Sequence, residues 1–204
     1  MRNSTKIVAT RGRPRKFDEV AALEGAAQVF AEKGYSGTSL DELAKAMGMN
    51  RPSMYNAFGN KAAIYKRALQ QYIDGIAGPL AMALKHDDLI QGLEDYFSML
   101  VDNYVGELGG CLCTNTLPAE AANDEGFRTF YADVMQSIDL VLYERLTQGI
   151  SAAENDEESL ELQAKLLQAL MQTLSLRVRA GAKRGELEAL YSYGIRTIVA
   201  HTKS

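Results

Sequence analysis

The fold is decided by residues 39–61, which read SLDELAKAMGMNRPSMYNAFGNK. Ser39 and Glu42 have the S-x-x-E spacing of a capping box, in which each side chain binds the other residue's free backbone N–H. The spacing therefore predicts a helix that begins at Ser39, and Gly48 ends it after about two turns. A second short helix is predicted to begin near Asn50, with Pro52 in its first turn, where a missing N–H does no harm. Residues 39–58 thus predict two short helices around a tight glycine turn.

Helical periodicity continues on both sides of this hairpin, and the alternating pattern typical of β-strands is absent. A helix is predicted from Asp18 to Gly34, and another from about Asn60 to Gly75, Gly78 and Pro79, which we expect to weaken or bend it and where we place the domain boundary. Five more helices are predicted near 88–107, 110–120, 124–151, 157–182 and 187–202. We therefore predict an all-α protein of about nine helices, with an arm at 1–15, a three-helix head within 16–76 and a helical body at 77–204.

Charge is segregated along the 204 residues, although the formal net charge is only −4. Residues 1–67 hold 12 basic and 6 acidic side chains, and residues 68–204 hold the remaining 10 and 20. A basic head on an acidic body suits a protein that docks one end on phosphates, although basic arms also bind membranes and acidic proteins. No apolar run approaches the roughly 20 residues that span a bilayer. Because the polar residues 1–6 also lack the apolar segment of a secretory signal, we expect a cytoplasmic protein without membrane contact.

The second helix of the hairpin has two distinct faces when residues 50–58 are placed at about 100° per residue. Met54 and Phe58 fall on the buried side. The opposite face carries Pro52 and three hydrogen-bonding residues, Ser53, Tyr55 and Asn56. Arg51, at the helix N-terminus, can contact a guanine with two hydrogen bonds. Tyr55 and Lys61 are suited to phosphate oxygens.

A basic stretch, RGRPRK at residues 11–16, precedes the first helix. Its Arg13 and Arg15 resemble the arginines that flexible arms place in a narrow minor groove. Each feature has a structural alternative when taken alone: the hairpin can simply pack inside an α protein, and the arm can be a solubilising tail. The combination is more specific than either part.

Taken together, residues 12–69 resemble the DNA-binding domain of TetR/AcrR transcriptional regulators. The matching positions are Gly34-Tyr35, Thr38-Ser39, Ala44, Met47-Gly48, Ser53-x-Tyr55-x-x-Phe58 and Lys61. The resemblance implies a helix-turn-helix head whose third helix enters the major groove, and a fourth helix that links head to body. It also implies backbone contacts from Ser39, Tyr55 and Lys61. Candidates for base contacts are Asn50, Arg51, Ser53 and Asn56.

The resemblance further implies a homodimeric repressor that a small molecule releases from a palindromic operator. We predict that the last two helices form the dimer interface through their apolar stripes, although these stripes can also serve the internal core. The predicted interface residues are Leu167, Leu170, Met171, Leu174, Tyr191, Ile195 and Ile198. The middle helices hold more aromatic and methionine side chains than a minimal core needs, which indicates a pocket for a small apolar or aromatic ligand, although such side chains at helical spacing more often serve simple packing. Its predicted lining is Tyr96, Met99, Tyr104, Cys111, Phe127, Tyr131 and Met135.

Cys111 and Cys113 would point about 200° apart on a continuous helix, so one site cannot use both. We expect buried, inert cysteines; a thiol that senses electrophiles or oxidants would need a helix N-terminus, exposure and a lowered pKa.

With only His86 and His201 besides the two cysteines, we predict no metal site. No phosphate loop or nucleophile motif is present, so we predict no cofactor and no enzymatic activity. A non-specific architectural DNA protein and a transcriptional activator stay open as alternatives.

Overall fold

The computed structural model describes residues 17–150 and 156–200, and all regular secondary structure in these ranges is helical. The described helices are α1 (Glu19–Gly37), α2 (Leu40–Ala46), α3 (Arg51–Phe58), α4 (Lys61–Ala83), α5 (Leu89–Tyr104), α6 (Leu112–Ala121), α7 (Glu125–Gly149), α8 (Glu157–Arg179) and α9 (Arg184–Ala200). The prediction of an all-α protein with about nine helices is confirmed. The basic arm, with Arg13 and Arg15, lies outside the described residues.

Side-chain caps fix the starts of the head helices. The predicted capping box is present, because the Glu42 N–H donates to Ser39 Oγ at 3.3 Å and the Ser39 N–H donates to Glu42 Oε2 at 3.0 Å. Asn50 accepts the Ser53 N–H at 2.9 Å, and Asn60 caps α4 in the same way. The predicted helix starts at Ser39, Asn50 and Asn60 are therefore confirmed.

The break predicted at Gly34 is confirmed, because the backbone leaves helical geometry there (φ 72°, ψ 170°), where glycine has no Cβ to clash. A short helical segment follows this kink and carries α1 to Gly37. Helix α4 continues through Gly75 and Pro79 to Ala83. Pro79 removes one helical hydrogen bond, to the Gly75 carbonyl, and both residues are exposed, so solvent can bind that carbonyl instead.

The buried side chains form two clusters that do not coincide with head and body. The first cluster joins α1–α4 to residues from α6 and the start of α7, including Leu112, Leu117 and Phe127. The second lies within the body, between α5, α7, α8 and α9. Helix α6 thus packs on the head, and the domain boundary predicted at 76/77 falls inside α4. In the ranges 17–150 and 156–200, no helix is long and apolar enough to cross a membrane.

Candidate nucleic-acid interface and cavity

Helix α3 presents its polar side chains on an exposed face. Met54 and Phe58 are buried, as predicted, and anchor the helix on the head core. The residues predicted to contact DNA from this helix are exposed: Arg51, Ser53, Tyr55 and Asn56. The helix therefore offers hydrogen-bonding groups to solvent and apolar groups to the core.

One ion pair connects this face to the start of α2, and a second contact holds the start of α4 against α1. Arg51 Nε lies 2.6 Å from Asp41 Oδ1 in the first turn of α2. The Lys61 ammonium lies 4.5 Å from the ring centroid of Tyr35, whose carbonyl accepts the N–H of Thr38 at 3.2 Å. Burial lowers the pKa of Lys61, and the nearby Glu120 carboxylate opposes that shift. The ion pair thus joins the starts of α2 and α3, and two residues lie between the end of α3 and the start of α4.

Two of the predicted contact residues already have local partners. Ser39 Oγ donates to Glu42 Oε2 at 2.7 Å, so its hydroxyl must turn to donate to a phosphate. The side-chain oxygen of Asn50 holds the Ser53 N–H, which leaves its amide NH₂ to donate. The exposed Arg51–Asp41 ion pair is a weak restraint, typically about 0–1 kcal/mol, so Arg51 can leave it for a stronger partner.

A cavity of about 500 Å³ lies between α4, α5, α7, α8 and the start of α6. This volume is in the range typical of small-molecule sites. Five of the residues predicted to line it do so: Tyr96, Tyr104, Cys111, Tyr131 and Met135. The α4 side of the wall, with Tyr72, Ile73, Ile76 and Leu80, was not predicted. Their helical spacing was visible in the sequence, but α4 was assigned to the head.

Met99 and Phe127 are wrong as cavity residues. Met99 is 37% exposed and does not line the cavity. Phe127 is buried in the head cluster, where its ring centroid lies 5.0 Å from that of Tyr35 and 5.4 Å from that of Tyr65. Phe127 therefore joins α7 to the head.

Four tyrosines, Tyr72, Tyr96, Tyr104 and Tyr131, are among the polar residues that line the cavity. Tyr72 donates to Asn103 Oδ1 at 2.7 Å, and Tyr96 donates to Met171 Sδ at 3.7 Å. Burial raises the pKa of Tyr72, Tyr96 and Tyr104 above the ordinary tyrosine value. These hydroxyls are therefore neutral at physiological pH and act as hydrogen-bond donors.

The two cysteines do not share a helical geometry. Cys111 is the extended N-cap of α6 (φ −75°, ψ 123°), and only Cys113 lies in the helix, so the angular separation expected on a continuous helix does not apply. A hydrogen bond from Cys113 lowers the pKa of the Cys111 thiol, and burial opposes that shift. The pKa of Cys113 is raised by the same hydrogen bond and by its own burial. Both cysteines also line the cavity.

Most of the predicted dimer interface is internal core. Leu167, Leu174 and Ile195 are fully buried within one chain, and Met171 and Tyr191 are each only 6% exposed. The prediction is therefore wrong for these five residues. The remaining two, Leu170 and Ile198, are half-buried at the edge of the body cluster.

A second apolar stripe lies on the opposite side of α8. Its leucines, Leu162, Leu166 and Leu176, are 54–55% exposed and fall within about 80° on the helix, at 100° per residue. On α9, Tyr193 is 74% exposed. Helices α8 and α9 approach closely at Gly194, where an added Cβ would lie 2.8 Å from Leu170 Cδ2. The exposed stripe and Tyr193 form the outer face of the α8–α9 pair.

Comparison with known proteins finds transcriptional regulators that are similar to this chain in sequence. The family model of bacterial regulatory proteins, tetR family, matches residues 22–68. The HTH-type transcriptional repressor ComR of Escherichia coli (strain K12) is 29% identical over 194 residues, 91% of each chain. The repressor BdcR of the same strain is 27% identical over 92% of this chain and 94% of its own.

Solved structures agree with the sequence relatives. The TetR family transcriptional regulator CifR, as a cysteine mutant complexed with a 26-bp double-strand operator DNA, superposes with a TM-score of 0.79. It is 26% identical, and the match covers 90% of this chain and 98% of the CifR chain. The helix-turn-helix head, the nine described helices and these similarities lead to one conclusion: the chain is a DNA-binding transcriptional regulator whose head matches the tetR family model and whose length is similar to TetR-type repressors.

Proposed function

We propose that the chain is a homodimeric repressor that binds a palindromic operator and is released by a small apolar or aromatic ligand in the body cavity. The observation that carries the proposal is the position of α4. Its first residue, Lys61, lies beside the α2–α3 hairpin, and its later residues Ile73 and Ile76 line the cavity. A helix of 23 residues, about 34 Å long, thus belongs to both sites.

In this proposal α3 enters the major groove. Arg51, Ser53, Asn56 and the free amide of Asn50 contact bases, because they are exposed donors and acceptors at the N-terminal part of the helix. Ser39, Tyr55 and Lys61 contact the phosphate backbone, and Arg13 and Arg15 add minor-groove contacts. The named relatives ComR and BdcR, both repressors, favour repression over activation.

Dimerisation is proposed through the outer face of α8 and α9. Leu162, Leu166, Leu176 and Tyr193 would be unusually large apolar groups to leave in water, and a second copy related by a twofold axis would cover them in a four-helix bundle. Pairing two heads in this way matches the symmetry of a palindromic site. The half-buried Leu170 and Ile198 would lie at the edge of this interface.

Release requires that the ligand bind better to the conformation that does not fit DNA. A ligand between α4 and the α7–α8 wall would press on Ile73 and Ile76 and tilt α4. Because Lys61 and the hairpin are attached to the other end of α4, the tilt would change the distance between the two α3 helices of the dimer. The two heads would then no longer fit both half-sites.

DNA reading is tested by selecting bound sequences from a random duplex pool, followed by titration of the selected site at fixed salt. We expect a palindrome, and we expect Arg51→Ala to weaken binding by about 1–3 kcal/mol per contacted base and to relax the preference at one position of each half-site. Lys85→Ala, which removes an exposed charge outside the head, should leave both unchanged. A pool without consensus would favour a non-specific architectural protein.

The dimer interface is tested by sedimentation of matched variants. Leu166→Glu should shift the protein towards monomer, because it places a charge at the centre of the outer face. Val20→Glu introduces the same charge on α1 at the same 55% exposure and should leave the dimer intact. An unchanged sedimentation coefficient for Leu166→Glu would place the interface elsewhere.

Ligand release is tested with compounds that raise the melting temperature of the protein. Such compounds should weaken operator binding, and Ala77→Trp, which places a large ring between α4 and the α7–α8 wall as a ligand would, should weaken operator binding even in their absence. If saturating binders leave the operator affinity of the native protein unchanged, the release part of the proposal is wrong.

A further inference from the structure

Tyr104 is a buried polar side chain that lacks a partner in its own chain. It is 2% exposed and lines the cavity, and among the residues the structure describes no group forms a hydrogen bond with its hydroxyl. Most buried polar groups are hydrogen-bonded, and an unmet one costs free energy. A ligand with a hydrogen-bond acceptor, such as a carbonyl oxygen, would satisfy this hydroxyl.

Cys111 lines the same cavity at the N-terminal end of α6. Its side chain is half-buried, and its backbone N–H is anchored by Ser175 Oγ at 2.8 Å, which fixes the position of the residue. The N-terminal end of a helix carries partial positive charge and favours an anionic sulfur. Cys113 adds a hydrogen bond to that sulfur, in the direction that lowers the pKa of Cys111. A nucleophilic thiol and an unsatisfied donor therefore face one apolar cavity.

We propose that Cys111 is a covalent capture site for small α,β-unsaturated carbonyl compounds with an apolar body, and that Tyr104 donates a hydrogen bond to their carbonyl oxygen. The thiol first releases its proton to solvent. The thiolate sulfur then forms a bond to the β-carbon, the carbon–carbon π bond breaks, and the electron pair moves to the carbonyl oxygen as an enolate held by Tyr104. A proton from solvent reaches the α-carbon and restores the carbonyl. The addition needs no oxidant or reductant.

Helix α6 connects this thiol to the head. Thr116, in the middle of the helix, is hydrogen-bonded to Tyr65 of α4 at 2.5 Å. Near its end, Glu120 accepts hydrogen bonds from the Ser36 hydroxyl of α1 at 3.0 Å and the Ser36 N–H at 3.3 Å. An adduct that displaces the start of α6 would therefore act on both α1 and α4. This regulatory consequence rests on the proposed function, whereas the covalent chemistry does not.

The capture step is tested on the full-length protein with benzylideneacetone, an enone, and with its saturated analogue 4-phenylbutan-2-one. Peptide mass spectrometry should find one enone adduct, on Cys111, and none with the saturated ketone. Cys111→Ser should abolish the adduct, and Cys113→Ser should retain it on Cys111. An adduct on Cys113 alone, or a rate at neutral pH no faster than that of glutathione, would overturn the proposal.

The role of Tyr104 is tested by a comparison of two probes. Tyr104→Phe should slow enone addition by about tenfold or more, since loss of one preorganised oxyanion donor in an enzyme costs about a hundredfold or more. Methyl methanethiosulfonate modifies thiols without a carbonyl, so its rate should not change. Tyr143→Phe, which removes a tyrosine hydroxyl from the body outside the cavity lining, is the matched control and should change neither rate. Equal slowing of both probes in Tyr104→Phe would show that the residue only supports the shape of the cavity.

Operator titration separates this inference from the proposed function. Benzylideneacetone should weaken operator binding of the native protein by at least about tenfold and have no effect on Cys111→Ser. Specific operator binding without any Cys111 adduct would overturn the inference and leave the repressor proposal standing. A Cys111 adduct on a protein that selects no operator would overturn the repressor proposal and leave the covalent capture standing.

Discussion

A buried hydrogen bond between Tyr65 and Thr116 joins the head to the body, and its energetic contribution can be measured. The two oxygens lie 2.5 Å apart, and the side chains are 0% and 4% exposed. Thr116 also donates to the Leu112 carbonyl at 2.6 Å, so its single proton is used there. The direction of the hydrogen bond is therefore fixed: Tyr65 donates and Thr116 accepts. The raised pKa of Tyr65, caused mainly by burial, agrees with a neutral donor.

Each single substitution should cost stability for a different reason. Tyr65→Phe removes the donor and leaves an unfilled lone pair on Thr116, which should cost about 1 kcal/mol. Thr116→Val strands the buried Tyr65 hydroxyl without an acceptor, which should cost about 1–3 kcal/mol. The double variant removes both groups and leaves neither stranded. It should therefore cost less than the sum of the single variants, with a coupling energy of about 1–2 kcal/mol.

Urea unfolding at one fixed protein concentration measures all four variants, because the stability of a dimer depends on concentration. The slope against urea should be the same for each variant. If the cost of the double variant equals the sum of the two single costs to within about 0.5 kcal/mol, Tyr65 and Thr116 do not interact in solution and the hydrogen bond from Tyr65 to Thr116 is wrong.

Two further predictions concern the head and α4. Gly25→Ala should destabilise the protein by at least about 2 kcal/mol, since an added Cβ would lie 2.2 Å from the Ala46 carbonyl oxygen. Gly75→Ala should stabilise the protein by about 0.5–1 kcal/mol, because no atom lies within 4 Å of the added Cβ. Thermal unfolding measures both changes. Hydrogen bonds from Lys33 and the capping serine lower the pKa of Glu42 to about 2. Stability contributed by its charge should be present above pH 4.5 and lost as the pH falls towards 2, so native protein and Glu42→Gln should converge in acid unfolding.

Local signals in the sequence predicted the head well. The caps at Ser39, Asn50 and Asn60 act over three residues, so their effect can be seen without knowledge of the tertiary structure. The buried side of α3 followed from Met54 and Phe58 because a short amphipathic helix has only one apolar face. These are the positions where local preference and final packing agree.

The errors arose where packing decides between two local possibilities. Helix α8 has apolar side chains on two opposite faces, so periodicity alone cannot tell the inward Leu167 from the outward Leu166. Gly75, Gly78 and Pro79 favour a domain boundary at 76/77, yet α4 passes through these residues on its exposed side. Cys111 was placed on a helix that in fact begins one residue later. Each error needs a contact partner from elsewhere in the chain to be corrected.

The two-sided packing of α8 has a consequence for how this protein can evolve. Gln168 and Met171 face the cavity from a helix whose other side carries Leu162 and Leu166. A substitution that reshapes the cavity on α8 therefore risks moving the outer face as well, and selection acts on both at once. The α4 side of the wall, at Ile76, does not contribute to the outer face. Among descendants of this chain, new ligand preferences should therefore arise first on α4, and α8 should change last.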